Sequence, residues 1–165
     1  MKKGFTVIET LLFVAASGTI LLVISLFLSL LISARVKGQT ISEVEHTGAH
    51  IIQSITQSLR NADSVQVPAK GVSGSSLSFT TPVPEKNPSV VDMSGTSLRI
   101  TEGAQSSLPL SSDRVIVSQL TFTNLGEVST PDSIRIQFTL SHANPGAKNE
   151  YEYSKTFYAT ASLRK

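Results

Sequence analysis

The chain has 165 residues, no cysteine and a formal net charge of +2, so disulfides, thiolate metal sites and cysteine nucleophiles are excluded. Its length suits one membrane helix followed by a single folded domain. Residues 61–165 carry nine basic and nine acidic side chains, and this balance argues against a nucleic-acid surface, which needs a basic patch.

A long apolar run lies close to the amino end. Residues 11–32 contain no charged side chain, and Glu9 is the only charged residue between Phe5 and Ala34. A helix of these 22 residues is about 33 Å long, close to the hydrocarbon thickness of a bilayer. The run predicts a single membrane span, headed by a lone carboxylate that needs a partner.

A cleaved secretory signal peptide is the competing interpretation of this start. Such a peptide needs an apolar core of about 7 to 15 residues and small residues before the cleavage site. The apolar run here is longer, and Ile32 stands two residues before Ala34, where a small side chain is needed. We therefore expect the span to remain attached to the domain.

The residues ahead of the span follow a recognisable pattern. Two lysines and Gly4 precede Phe5, and Glu9 lies five residues after the glycine, directly before the apolar run. This order closely resembles the class III leader of type IV prepilins and type II secretion pseudopilins. The resemblance implies that residues 1–4 are a leader peptide, that a prepilin peptidase cuts between Gly4 and Phe5, and that Phe5 is then N-methylated.

The resemblance also gives Glu9 a role in assembly, as the counter-charge to the amino terminus of a neighbouring subunit. Physical chemistry is consistent with this role, because a freed α-amino group is mostly protonated near neutral pH. The alternative is that Glu9 only reaches back to the lipid headgroups, since it lies four residues from the new terminus. The leader in front of the span favours the assembly role.

Charge alone does not orient the span, because Arg35 and Lys37 balance Lys2 and Lys3. The resemblance implies a single-pass inner-membrane protein with a cytoplasmic amino terminus and an outer carboxy-terminal domain, which later enters a pilus or pseudopilus. The implied partners are the prepilin peptidase, other pilin or pseudopilin subunits, the inner-membrane assembly platform and the lipid bilayer.

Small side chains mark two candidate packing surfaces within the span. Gly18 lies in a patch of small residues, and Ser25, Ser29 and Ser33 recur every four residues. Helices in lipid associate through small residues and hydrogen bonds between helices. In the alternative interpretation, each hydroxyl bonds only to the backbone of its own helix.

The helical pattern continues beyond the span. Residues 5–34 form a membrane or fibre-core half, and residues 35–60 form an amphipathic half, with no proline before Pro68. Gly38 and Gly48 each weaken a helix by about 1 kcal/mol relative to alanine, so bending is expected there. The apolar positions of the second half are Ile41, Val44, Ile51, Ile52, Ile55 and Leu59.

Residues 61–165 read as an extracytoplasmic β-sheet domain. The alternating segments 77–80, 97–101, 114–123, 133–141 and 150–163 predict strands, with residues 64–67 as a further candidate. The apolar parity changes near Ser118 and Gln119, which predicts a bulge. Short connections predict an antiparallel sheet, covered by the amphipathic half of the helix. The expected fold class is α+β, a pilin fold.

Candidate chemistry is sparse. His46 and His50 are one helical turn apart, with Glu43 or Glu45 as a third metal ligand in the most generous interpretation. Two histidines on a polar helix face are far more often solvated. No nucleophile elbow, phosphate loop or carboxylate pair is visible, so we predict neither an enzyme nor a cofactor or metal site.

The predicted function is structural: a minor subunit of a type IV pilus or a type II secretion pseudopilus. Residues 158–164 look similar to the end of J-like pseudopilins, which favours a minor over a major subunit. The alternative is a single-pass anchored domain that binds a surface ligand or acts as a sensor outside any filament. That alternative predicts an uncut leader and tolerance of Glu9→Leu.

Overall fold

The computed structural model describes residues 6–127 and 130–164. Its first element, α1, spans Val7–Arg60 and confirms the single long helix expected from the sequence. The helix is continuous through Gly38 and Gly48, so neither glycine interrupts it. At about 1.5 Å per residue, α1 is roughly 81 Å long.

In the described part of the chain, nine strands and two short 3₁₀ helices follow α1. The 3₁₀ helices span Pro84–Lys86 and Asn149–Tyr151. The strands are β1 Ser64–Val67, β2 Ser73–Gly74, β3 Leu77–Thr80, β4 Ser89–Ser94, β5 Ser97–Glu102, β6 Leu108–Pro109, β7 Val115–Asn124, β8 Ser133–His142 and β9 Ser154–Ser162.

The strands form two antiparallel sheets rather than the single sheet expected. One has the order β1-β3-β4-β5-β6 and the other the order β2-β7-β8-β9. The central strand β4 was not predicted, because Pro82, Pro84 and Pro88 disguise the segment before it. All three prolines precede the strand, which begins at Ser89 and pairs with both β3 and β5.

Two details of the second sheet bear on the sequence predictions. The predicted bulge is confirmed, because the β7–β8 register shifts between Ser118 and Thr121 and Gln119 has a φ of 53°. The last strand begins later than expected, at Ser154, because a 3₁₀ helix occupies Asn149–Tyr151. Strands β8 and β9 then pair without a register shift.

The core lies between the second half of α1 and the sheets. Val44, Ile51, Ile55 and Leu59 recur along one side of α1 and are fully buried. They belong to one hydrophobic cluster with residues of both sheets, including Phe138 of β8. The helix packs mainly on β9 and on the 3₁₀ helix Asn149–Tyr151, and less on β8. This is an α+β arrangement in which only half of the helix is covered.

Candidate functional site

The first half of α1 is an uncovered apolar surface. Seventeen large apolar side chains between Val7 and Ile32 are at least 49 % exposed. The most apolar window of α1 has a mean hydropathy of 2.6, and none of it is buried. Among the described residues, α1 is the one helix long and apolar enough to cross a membrane. This surface needs lipid or other helices as its cover.

Glu9 lies in the first turn of this uncovered half. Its side chain is exposed and has no hydrogen bond or ion pair with any residue that the structure describes. An acidic group in the first turn of a helix is favoured by the positive end of the helix dipole. Gly4 and Phe5, the positions predicted for cleavage and N-methylation, lie outside the described residues. Within the described chain, the Glu9 carboxylate has no counter-charge.

The hydroxyl groups of the span fall into two sets. Those of Thr10, Ser17 and Thr19 donate hydrogen bonds to carbonyls of the preceding turn of their own helix. By contrast, no described residue bonds the hydroxyls of the serines at positions 25, 29 and 33. Gly18 has open space where a Cβ would be added. The hydroxyls of the first set therefore bond to the backbone of their own helix, as the alternative interpretation states. The hydroxyls of the second set are available to bond to another helix.

A lysine ties α1 to the domain near the end of the uncovered half. Lys37 Nζ donates to the carbonyl oxygens of Asn149 at 2.9 Å and Glu152 at 2.6 Å. These carbonyls belong to the 3₁₀ turn before β9 and to the residue that follows it. Hydrogen bonds from a charged donor are stronger than those between neutral groups. This turn is therefore held against the helix.

A second polar contact lies two turns further along α1. The Glu45 carboxylate accepts hydrogen bonds from Lys155 Nζ at 2.7 Å and from the Tyr153 hydroxyl at 3.2 Å. The hydrogen bond from Lys155 lowers the pKa of Glu45, and the bond from Tyr153 adds to this effect. The same pairing raises the pKa of Lys155, while burial raises the pKa of Tyr153.

A third contact joins Glu43 to the end of β8. His142 Nε2 lies 3.6 Å and Arg114 Nη1 lies 3.9 Å from Glu43 Oε2. The imidazole stacks on the ring of Tyr151 at 5.3 Å between centroids, and its Nδ1 lies 2.9 Å from the carbonyl oxygen of Ala143. Polar contacts from residues 37, 43 and 45 therefore hold the domain on the part of α1 that follows its apolar half.

The histidine pair on α1 gains no third ligand from its acidic neighbours. His46 and His50 are exposed. Glu43 and Glu45, the acidic candidates, are directed to partners on the sheet domain instead. In the part of the chain that the structure describes, no group of three or more metal-binding side chains occurs.

A close approach between helix and sheet lies at Gly48. A Cβ added there would overlap the ring of Phe157 on β9, at 2.6 Å from Cε2. The ring is stacked against Phe138 of β8 at 5.5 Å between centroids. Gly48 is buried, and its missing side chain lets the aromatic ring lie against the helix backbone.

These helix–domain contacts could not be predicted from the sequence. Lys37 and Glu45 bond to groups that are 108 to 115 residues away along the chain. Local periodicity carries no information about such pairs. The sequence shows charged residues on α1 and Lys155 near the start of the final strand, but not which of them pair. No family model, curated protein or solved structure matches the chain.

Proposed function

We propose that this chain is a minor structural subunit of a type IV pilus or a type II secretion pseudopilus, processed by a prepilin peptidase. The observation that carries the proposal is Glu9, which has no partner among the described residues and stands at the head of an uncovered apolar helix half. That half continues without a break into the helix on which the domain is built. The subunit is thereby divided into an assembly segment and a surface domain.

The apolar half has to be kept out of water at every stage, in the membrane and in the filament. Fully burying one large aliphatic or aromatic side chain is worth about 1.5 to 3 kcal/mol, so covering this segment is worth tens of kcal/mol. The bilayer provides the cover before assembly, and a bundle of neighbouring helices provides it afterwards. Because the two environments are similarly apolar, the subunit can pass from one to the other without exposing the segment to water.

Polar groups then select how the helices pack. A charged side chain in a membrane helix is costly unless it is paired, so Glu9 favours the register that brings it next to a neighbour's amino terminus. Ser25, Ser29 and Ser33 have hydroxyls available for a neighbouring helix, and Gly18 permits close approach. Together these groups favour particular arrangements among the many that apolar contact alone would allow.

The polar contacts at the membrane-proximal end of the domain support a mechanical role. Lys37 and Glu45 hold the 3₁₀ turn and β9 on the helix through side chains outside the apolar half. A force applied along α1 during extraction from the membrane is thus passed to the domain at its near end. The domain therefore moves with the helix as one body.

The first test is the mass of the amino-terminal peptide of the protein made in its own host. An N-methylated terminus at Phe5 is expected. An intact Met1 or Lys2 terminus, in cells with an active prepilin peptidase, would refute processing and favour the anchored binding or sensor domain.

Glu9→Leu tests the counter-charge separately. We expect this variant to enter the membrane and be cleaved, but to be recovered in sheared filaments at a much lower level. Thr10→Leu is the matched control, because it adds the same side chain one residue further on and leaves the carboxylate in place. Equal recovery of both variants in filaments would refute the role of Glu9.

A further inference from the structure

The last strand, β9, ends its sheet with a free edge. It is nine residues long, and β8 is its one neighbour in the sheet. The other sheet edges in the described chain are shorter: β1 has four residues, and β2 and β6 have two each. A long free edge is a ready template for pairing with another extended segment.

The sheet register shows which backbone groups of β9 face outwards. His142 N–H bonds to the carbonyl of Tyr153, and Leu163 N–H bonds to the carbonyl of Asp132. The register between β8 and β9 is unbroken, so the odd-numbered residues of β9 bond to β8. The N–H and C=O groups of Thr156, Tyr158 and the even-numbered residues after them therefore face away from the sheet.

A groove of about 980 Å³ opens beside this edge. It lies between the second half of α1 and the end of β9, with apolar walls from Ala49, Ile52, Phe157 and Leu163. No residue of β8 lines it, so it opens past β9 on the side of the free edge. An extended segment paired with β9 would place alternate side chains in this groove.

Two arginines stand at one end of the groove. Arg60 closes α1, and Arg164 follows β9, and both are exposed. Neither has a carboxylate partner among the residues that the structure describes. A guanidinium group pairs best with a carboxylate, so this end of the groove suits an acidic side chain or a terminal carboxylate.

A second copy of the chain fits this edge poorly. Antiparallel pairing of two β9 strands requires a two-fold axis perpendicular to the sheet, which reverses the direction of α1 packed on the sheet face. Two copies anchored in one membrane have their α1 helices pointing in the same direction, so they cannot pair antiparallel through β9. This step rests on the membrane anchoring proposed above. Parallel pairing in register would bring Arg164 beside its own copy, and like charges there are unfavourable.

We propose that the free edge of β9 and the adjoining groove bind an extended segment of a different protein. The segment adds a strand to the sheet, directs alternate apolar side chains into the groove, and carries a carboxylate at the end near Arg60 and Arg164. This recognition gives a surface domain a partner in addition to the neighbours bound by its helix. It does not require assembly into a filament.

The test uses a display library of linear nonapeptides, matched to the nine residues of β9, against the full-length protein in lipid nanodiscs. Enriched peptides are expected to alternate apolar and polar residues and to carry an acidic residue near one end. A synthetic peptide with the enriched sequence is then measured by fluorescence anisotropy. Hydrogen exchange should show new protection at the amides of Thr156, Tyr158 and Thr160.

Two variants separate edge pairing from other modes of binding. Thr160→Pro removes an outward N–H without removing a bond to β8, and should weaken peptide binding about tenfold or more. Arg60→Gln with Arg164→Gln should weaken it about tenfold, more at low salt. Arg35→Gln with Lys148→Gln is the charge-matched control, because both residues are exposed and neither lines the groove, and it should leave affinity unchanged.

The proposal is overturned by any of three results. In the first, the library yields no enriched peptide. In the second, the peptide binds equally well to the variant that lacks Arg60 and Arg164 and to the control variant. In the third, a second copy of the chain covers β9. The last is detected as self-association in nanodiscs that Thr160→Pro abolishes. Circular dichroism checks the fold of each variant. If Thr160→Pro misfolds, the peptide affinity of the variant that lacks both arginines tests the proposal.

Discussion

Two glycines of the same helix should respond in opposite ways to the same substitution. Gly38 has open space where a Cβ would be added, whereas a Cβ on Gly48 would overlap the ring of Phe157. That ring is stacked on the fully buried Phe138, so moving it away from the helix disturbs this stacking. We therefore predict that Gly38→Ala stabilises the protein and that Gly48→Ala destabilises it.

The magnitudes follow from two terms. Replacing glycine by alanine within a helix gains about 1 kcal/mol at either position. Forcing an extra carbon into a packed core costs about 1 to 3 kcal/mol, and only Gly48→Ala carries this cost. The helix term cancels when the two variants are compared. The difference between their free energies of unfolding should therefore be about 1 to 3 kcal/mol.

Urea unfolding of the full-length protein in micelles measures this difference. Near-ultraviolet circular dichroism of Tyr151 and Tyr153, which lie close to the helix, reports on the packing of the domain. Adding Phe157→Ala removes the overlap, so Gly48→Ala should become stabilising in that background. Equal effects of the two glycine substitutions, or a loss at Gly48 that persists without the ring, would refute the packing argument.

Three further predictions concern single contacts of the domain. Hydrogen bonding to Lys155 lowers the pKa of Glu45 in the folded protein. The pair therefore stabilises the fold at pH values above the pKa of an unfolded glutamate, about 4.3. This stability is lost as the pH falls through the lower pKa of Glu45 in the folded protein. Glu45→Gln should therefore flatten the dependence of the urea midpoint on pH between about pH 2 and 6, and an unchanged slope would contradict this. Lys70 Nζ donates to the carbonyl oxygens of Glu127 at 2.8 Å and Thr130 at 2.7 Å. Lys70→Met should therefore lower the free energy of unfolding by about 1 kcal/mol and speed amide exchange at Glu127. Unchanged exchange would show that the lysine does not hold these two residues in place. Ala147 has a φ of 46°, so Ala147→Gly should stabilise the domain by several tenths of a kcal/mol in the same urea assay, unlike Ala143→Gly, which should destabilise it.

Much of the fold could be predicted from the spacing of apolar residues along the sequence. The apolar run and the later helical spacing predicted α1 to Arg60, since both are properties of neighbouring residues. The period of two in β8 and the change of parity in β7 gave those strands and the bulge at Gln119 for the same reason. Three strands were missed. Strands β2 and β6 have only two residues each, and β4 follows Pro88 and has apolar residues that do not alternate along its whole length.

The candidate site was only partly accessible in this way. Glu9 stood out because a charge within an apolar run is visible without any knowledge of the fold. The groove beside β9 was not visible, because its walls come from α1 and from a strand about 100 residues later. Whether a strand is central or at an edge depends on the order of strands in the sheet, which periodicity does not encode.

The sequence by itself determined the long helix, its division into an apolar and an amphipathic half, and the predominantly β character of the domain. Each follows from side-chain spacing over a few turns or a few residues of strand. Only the tertiary structure decided that there are two sheets, that Glu45 meets Lys155, and that Gly48 lies against Phe157. These depend on how distant segments come together, and that is settled by packing of the whole chain rather than by any local preference.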